Sequence, residues 1–249
     1  MPALADSGAV EPARSFDRAA AEYERARPGY PAAVLDPLPL GEAADVLDLG
    51  AGTGKLTRVL VERYRRVIAV EPLDGMRAIL EDVVPSAESR AGTAEAIPLP
   101  DASVDGVFAA QAFHWFANDA AVAEIARVLR PGGVLGLVWN EPGDSSPLPE
   151  PYRAYLDTLH APSLDAVLAG RPWSELIGRG PFGELREAVV EHEQSQDRNG
   201  VLEFAQSVSW IARRADEERA QIMRDLDELL SDGPFTFPTL AHVNWAVRA

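Results

Sequence analysis

A chain of 249 residues can hold one sizeable α/β domain, and 47% hydrophobic residues exclude a disordered chain. There is no apolar run of about 20 residues for a membrane span, no basic and apolar leader in Met1–Glu11, and no cysteine for disulfides, thiolate metal sites or nucleophiles. Acidic residues outnumber basic ones 39 to 23, the net charge is -16 and Lys55 is the single lysine, so a nucleic-acid partner, which calls for a basic surface, is not expected.

Residues 1–12 read as a frayed tail. Phe16–Arg27 reads as a helix, with Phe16, Ala19, Ala20 and Tyr23 at helical spacing, and Pro28 and Pro31 end it. From Asp45 onward short apolar strands alternate with amphipathic helices. Strands are expected at Val46–Leu49, Val67–Val70, Val104–Ala110 and Val134–Trp139, and helices at Lys55–Tyr64, Gly75–Val83 and Asp119–Leu129. Such alternation implies right-handed crossovers and a parallel sheet covered on both faces. Beyond Asn140 the pattern loosens. Glu141–Pro151 is rich in proline and serine, and Pro162–Gly183 reads as irregular. Leu185–Glu193 and Phe235–Val247 read as late strands, and Ala215–Leu230 as a charged helix whose acidic face is solvated. The whole chain, 1–249, is expected to be one domain: an N-terminal helical part to residue 40, a core over 41–140, and an elaboration over 141–249.

The sharpest motif runs from Asp48 to Gly54, Asp-Leu-Gly-Ala-Gly-Thr-Gly, at the end of a buried strand. Gly50 and Gly52 let backbone approach a ligand where a Cβ would collide. Gly54 is expected to begin a helix whose amides favour an anionic group. The dinucleotide fingerprint G-x-G-x-x-G fails because Lys55 holds its last position, which argues against a nicotinamide-dependent oxidoreductase. The phosphate loop G-x-x-x-x-G-K-[ST] fails twice, at Leu49 and Leu56. Glu71, at the tip of the second strand, suits the paired hydroxyls of a ribose; the plainer alternative is a cap on the turn before Pro72.

Val46–Thr57 resembles the first motif of the class I S-adenosylmethionine-dependent methyltransferases, and Ala69–Met76 the motif that follows it. Gly92–Asp101, running on to Asp105, is similar to the family's adenine segment, and Val128–Gly133 to the turn before its fifth strand. Phe16–Pro31 and Gln111–Phe116 are similar to the branch that contains trans-aconitate methyltransferase. The resemblance implies a Rossmann-like, doubly wound, mostly parallel seven-stranded sheet with an antiparallel last strand, a helical lid and a C-terminal insertion. It also implies S-adenosylmethionine as cofactor. Asp48 would lie near the methionine amino group, Gly50 and Gly52 along the methionine, and Glu71 on the ribose. Pro72 and Leu73 would lie beside the adenine, with Thr93, Ala94 and Glu95 on its other side. Thr93 departs from the aspartate of many relatives. Gln111 would sit beside the reacting methyl.

The acceptor expected from this resemblance is a small molecule, a carboxylate or a hydroxyl. A cofactor-binding regulator without turnover is the alternative, with an RNA or protein acceptor behind it. His114 follows the fourth strand at the ligand-facing end of the sheet, as a candidate base or as a structural histidine beside Trp115. Tyr23, Arg27 and Tyr30 are candidates for a lid, or for a helix merely packed on the sheet. Trp173, Trp210 and Trp245 either line a pocket or fill the core. His160, His192 and His242 lack metal spacing, so no metal is expected. The expected compartment is the cytoplasm. Neither the oligomeric state nor the acceptor's identity is specified.

Overall fold

Every residue of Asp45–Leu49 is buried, as a central strand covered on both faces requires, and this strand (β1) starts the sheet. The computed structural model describes residues 20–143, 145–159, 172–212 and 214–249. β1 pairs in parallel with β2 (Arg66–Val70) on one side and β4 (Val104–Ala110) on the other. β3 (Glu88–Arg90) extends the sheet past β2, and β5 (Leu129–Pro142) extends it past β4. The seven-stranded order is β3-β2-β1-β4-β5-β7-β6. β7 (Phe235–Val247) runs antiparallel both to β5 and to the edge strand β6 (Arg186–Gln196). The last strand of the chain is thus the one that reverses direction. The order turns between β1 and β4, so their carboxyl ends open a crevice in which open parallel sheets bind ligands.

Two apolar clusters cover the two faces. One gathers Leu47, Ile68, Val107, Leu135 and Leu137 under α4 (Asp119–Val128) and α6 (Pro172–Arg179). The other gathers Val46, Val67, Phe108, Val134 and Val243 against α2 (Thr57–Arg63) and a turn of 3-10 helix at Ala32–Leu35. α3 (Asp74–Val83) follows β2, with Met76 and Leu80 as its buried stripe. α1 (Ala20–Ala26) lies over the carboxyl ends. A third cluster is built by α5 (Glu150–Leu159), α7 (Arg198–Ser207), α8 (Ser209–Ala212), α9 (Asp216–Leu229) and the start of β7. Among the described residues no helix is long and apolar enough to cross a membrane.

Several expectations need correction. Part of Pro162–Gly183 is helical: α6 buries Trp173, Leu176 and Ile177, and the Trp173 ring stacks 4.8 Å from Trp139. Val128–Gly133 is no free turn. Val104 pairs with Leu129 and Gly106 with Val134, so the extra residues bulge within β5, and Gly132 takes φ +79°. Gly54 does not begin a helix. Its φ of +87° is left-handed, and α2 starts at Thr57, although the Gly54 carbonyl accepts the first helical-type bond from Arg58 N at 3.1 Å. Phe16–Ala19 of the N-terminal helix, His160 and Pro162–Arg171 lie outside the described residues.

Candidate functional site

At the carboxyl ends of β1, β2 and β4 lies a cavity of about 750 Å³. All the candidates line it: Asp48, Gly50 and Gly52 from the glycine loop; Glu71, Pro72 and Leu73 after β2; Thr93, Ala94 and Glu95 after β3; Gln111 and His114 after β4; and Tyr23, Arg27 and Tyr30 from the N-terminal segment. The adenine-type segment reaches the cavity over Gly92–Glu95 alone. Asp105 stands at the opposite, amino end of β4, where it accepts Asp45 N at 2.8 Å and pairs with Arg130 at 2.6 Å.

The loop after β1 is shaped by its glycines. Gly50 takes φ +70°, and a Cβ there would stand 3.0 Å from the Ala112 Cβ and 3.2 Å from the Phe116 ring. Gly52 takes φ +57° with open space where its Cβ would be. Glu71 fastens the loop: one carboxylate oxygen accepts Gly52 N at 2.9 Å and the other Leu73 N at 3.0 Å. The turn cap after β2 is therefore present, and the same carboxylate also reaches across to the glycine loop.

Asp48, 1% exposed, accepts the Thr57 hydroxyl at 2.6 Å on Oδ2, while its buried Oδ1 has no side-chain or backbone hydrogen-bond partner among the described residues. Burial pushes its carboxyl up to about 7, the Glu71 charge adds to the rise, and the Thr57 bond opposes it. An orphaned buried carboxylate oxygen is costly, and a cationic donor at that point would repay it.

The N-terminal segment is tied to the loop by charge. Lys55 Nζ donates to the Glu24 carbonyl at 2.6 Å and to its carboxylate at 3.1 Å, and Arg58 donates to the same carboxylate at 2.6 Å. Sequence reasoning missed this contact, because Lys55 entered only as a misfit to another motif. It docks α1 so that Tyr23 and Arg27 face the cavity. The Arg27 guanidinium lies 5.5 Å from the Tyr23 ring and 4.9 Å from the Phe204 ring, with Nη2 on the Ser207 carbonyl at 3.2 Å and a buried Nε that has no partner among the described residues. Burial weakens the hold of Arg27 on its proton and pushes the Tyr23 and Tyr30 hydroxyls up.

Gln111 takes φ +50°, and its Nε2 donates to the Asn140 carbonyl at 2.8 Å. The His114 ring lies 4.9 Å from Trp115, and its buried Nδ1 has no partner among the described residues. Burial brings its pKa down to about 4. Trp173 and Trp245 are core, whereas Trp210 lines the cavity. His192 stands 3.3 Å from Asn140, and His242 lies between Glu141 at 3.3 Å and Glu187 at 3.1 Å. Among the described residues no three such side chains form a group able to hold a metal ion. The far wall comes from the elaboration expected over 141–249, but its side chains are not singled out by the sequence: Leu148, Tyr152, Leu156, Val201, Phe204 and Phe237 come from segments that converge only in the fold.

Residues 47–137 match the family model described as a methyltransferase domain. An uncharacterised methyltransferase-like protein of Schizosaccharomyces pombe is 37% identical over 89% of this chain and 88% of its own length. An uncharacterised methyltransferase of Mycobacterium bovis is 55% identical over 51% of this chain and 52% of its own. Among solved structures, one from Anaeromyxobacter dehalogenans assigned as a type II methyltransferase superposes with TM-score 0.64 at 28% identity, covering 89% of this chain and 97% of that one.

Proposed function

The chain belongs to the class I S-adenosylmethionine-dependent methyltransferases, and from that premise we propose that it methylates the carboxylate of a small molecule. The cofactor supplies an electrophilic methyl on a sulfonium; the chain's own residues bind, orient and exclude water. The site's chemistry fits that cofactor. Asp48 Oδ1 suits its amino group, the backbone at Gly50 and Gly52 its methionine portion, and Glu71 its ribose hydroxyls. Pro72 and Leu73 offer an apolar ledge for the adenine, facing Thr93, Ala94 and Glu95. Gln111, fixed by its bond to Asn140, is assigned to the side of the methyl. We read 1–249 as one domain in which Tyr23, Arg27 and Tyr30 form a lid.

The observation that carries the acceptor reading is Arg27, a guanidinium lining the cavity whose buried Nε has no partner among the described residues. Arginine matches the planar geometry of a carboxylate. A carboxylate is ionised at neutral pH and needs no base. Burial lowers the His114 pKa to about 4, which weakens the case for His114 as a general base, and a carboxylate acceptor asks for none. Malonyl-[acyl-carrier protein] O-methyltransferase of Methylococcus capsulatus, 43% identical over 37% of this chain, points to the same functional group. The test is methyl transfer from radiolabelled S-adenosylmethionine to a metabolite extract, followed by mild alkali. Label released as methanol marks a methyl ester; label that resists alkali overturns the carboxylate assignment.

A further inference from the structure

The far wall of the cavity narrows the acceptor further, granted the small-molecule carboxylate reading. Tyr152 and Val201 are 1% and 3% exposed and belong, with Leu148, Leu156 and Trp210, to the packed cluster of α5, α7, α8 and α9. They are held from behind, so the wall is a fixed apolar surface and does not need an open solvent layer to stand. Phe204 adds the ring beneath Arg27. About 750 Å³ lies toward the upper end of the roughly 300–1,000 Å³ of ligand pockets, which leaves room for an acceptor body beside a nucleoside cofactor.

Charge is distributed unevenly over this surface. Among the described residues that line the cavity the lysine and arginine side chains are Arg27 and Lys55, and Lys55 is taken by the carbonyl and carboxylate of Glu24. Among the described lining residues Arg27 is therefore the one that remains to meet an anion. The acidic lining residues are Asp48, Glu71, Glu95 and Glu141. One acceptor carboxylate finds a partner on Arg27. A second or third would be desolvated against apolar side chains, with carboxylates for neighbours and no further lysine or arginine among the described lining residues to compensate.

We propose that the acceptor is an amphipathic monoanion, with one carboxylate seated on Arg27 and an aromatic or aliphatic body packed against Leu148, Leu156, Phe204 and Trp210, which Tyr152 and Val201 back from within the cluster. Short di- and tricarboxylates are excluded by the same arrangement.

The experiment uses the purified full chain with S-adenosylhomocysteine bound. Tryptophan fluorescence reads binding of cinnamate, of hexanoate to decanoate, and of citrate and trans-aconitate; initial rates with S-adenosylmethionine are measured alongside. Cinnamate and the fatty acids are expected to bind saturably, tightening roughly threefold to fourfold per buried methylene. The tricarboxylates are expected to bind at least tenfold more weakly. Arg27→Gln should weaken the monoanions at least tenfold, and Phe204→Leu should weaken cinnamate severalfold. Both variants should keep S-adenosylhomocysteine affinity within twofold, which separates loss of acceptor recognition from loss of fold. Tricarboxylates bound or methylated as well as the monoanions would overturn the proposal and leave carboxylate methylation standing. Neutral alcohols of the same body methylated in place of the acids would overturn both. Failure of every probe to bind an intact cofactor complex overturns the monoanion assignment.

Discussion

Burial holds the Asp48 carboxyl at about 7, whereas an unfolded aspartate titrates near about 3.9. Between those values the folded, cofactor-free protein keeps a proton that the unfolded chain has lost. The contribution of Asp48 to stability therefore falls as pH rises from about 4 to about 7, and levels off above. The group that faces it most closely is Thr57, with the Glu71 charge adding to the rise, and Tyr30 feels the Asp48 charge in turn. If Oδ1 receives the cationic amino group of the cofactor, binding must drive that proton off. Affinity for S-adenosylmethionine is then expected to rise nearly tenfold per pH unit up to about 7 and stay level beyond. Calorimetry near pH 6 in buffers of different ionisation enthalpy measures the released proton, and Asp48→Asn should flatten the slope. A dissociation constant independent of pH below 7 removes Asp48 from this role. Glu71 makes a second, separable claim. Its carboxylate serves two backbone amides and the proposed ribose site, so Glu71→Ala is expected to weaken the cofactor by about 2 kcal/mol, roughly thirtyfold in Kd. A change below twofold, with melting temperature intact, would assign Glu71 to the turn alone.

α1 shows what an element contributes beyond its own residues. It is held by Glu24 on Lys55 and Arg58, by Arg25 on Glu203 of α7 at 3.2 Å, and by Arg27 on the Ser207 carbonyl. None of these contacts lies inside the sheet. Removing residues 1–31 is therefore expected to leave a folded core that still binds S-adenosylmethionine, while abolishing turnover because the methyl side of the cavity opens to water. Wild-type turnover by the truncated chain would show that α1 is not a lid, and unfolding would show that it is core packing. The elements also differ in how far their residues announce them. β1, β2 and β4 are apolar runs punctuated by glycine, and α4 has its Asn118 cap on Ala121 N, so these are legible from local pattern alone. β3 is Glu-Ser-Arg, with no apolar pattern to read, and is a strand only because Ile68–Val70 offers it a ladder. α7 has Gly200 in its first turn, which argues against a helix until Asp197 is seen to accept Gly200 N at 2.7 Å. The same distinction governs the site. The glycine loop and Glu71 are backbone geometry written locally, whereas the wall of Tyr152, Val201 and Phe204 comes from separate helices and exists only after packing.

At the scale of the whole molecule, charge is the property that sets partners. The net charge is -16, and among the described residues many arginines are occupied in ion pairs: Arg65 with Asp45, Arg66 with Glu88, Arg127 with Glu124, Arg130 with Asp105 and Arg198 with Asp227. Exposed pairs of this kind add little to stability. Their effect here is to cancel cations that would otherwise form a basic track. Nucleic-acid affinity depends on such a track, because each neutralised phosphate releases a condensed counterion. The cavity repeats the pattern on a smaller scale, since Asp48, Glu71, Glu95 and Glu141 line it. A phosphate backbone approaching that mouth would meet repulsion both from the surface and from the site. Filter binding of tRNA and of duplex DNA at low salt is therefore expected to give weak retention, with no preference between the two. Submicromolar binding that weakens steeply with added salt would overturn this expectation and place a nucleic acid among the partners.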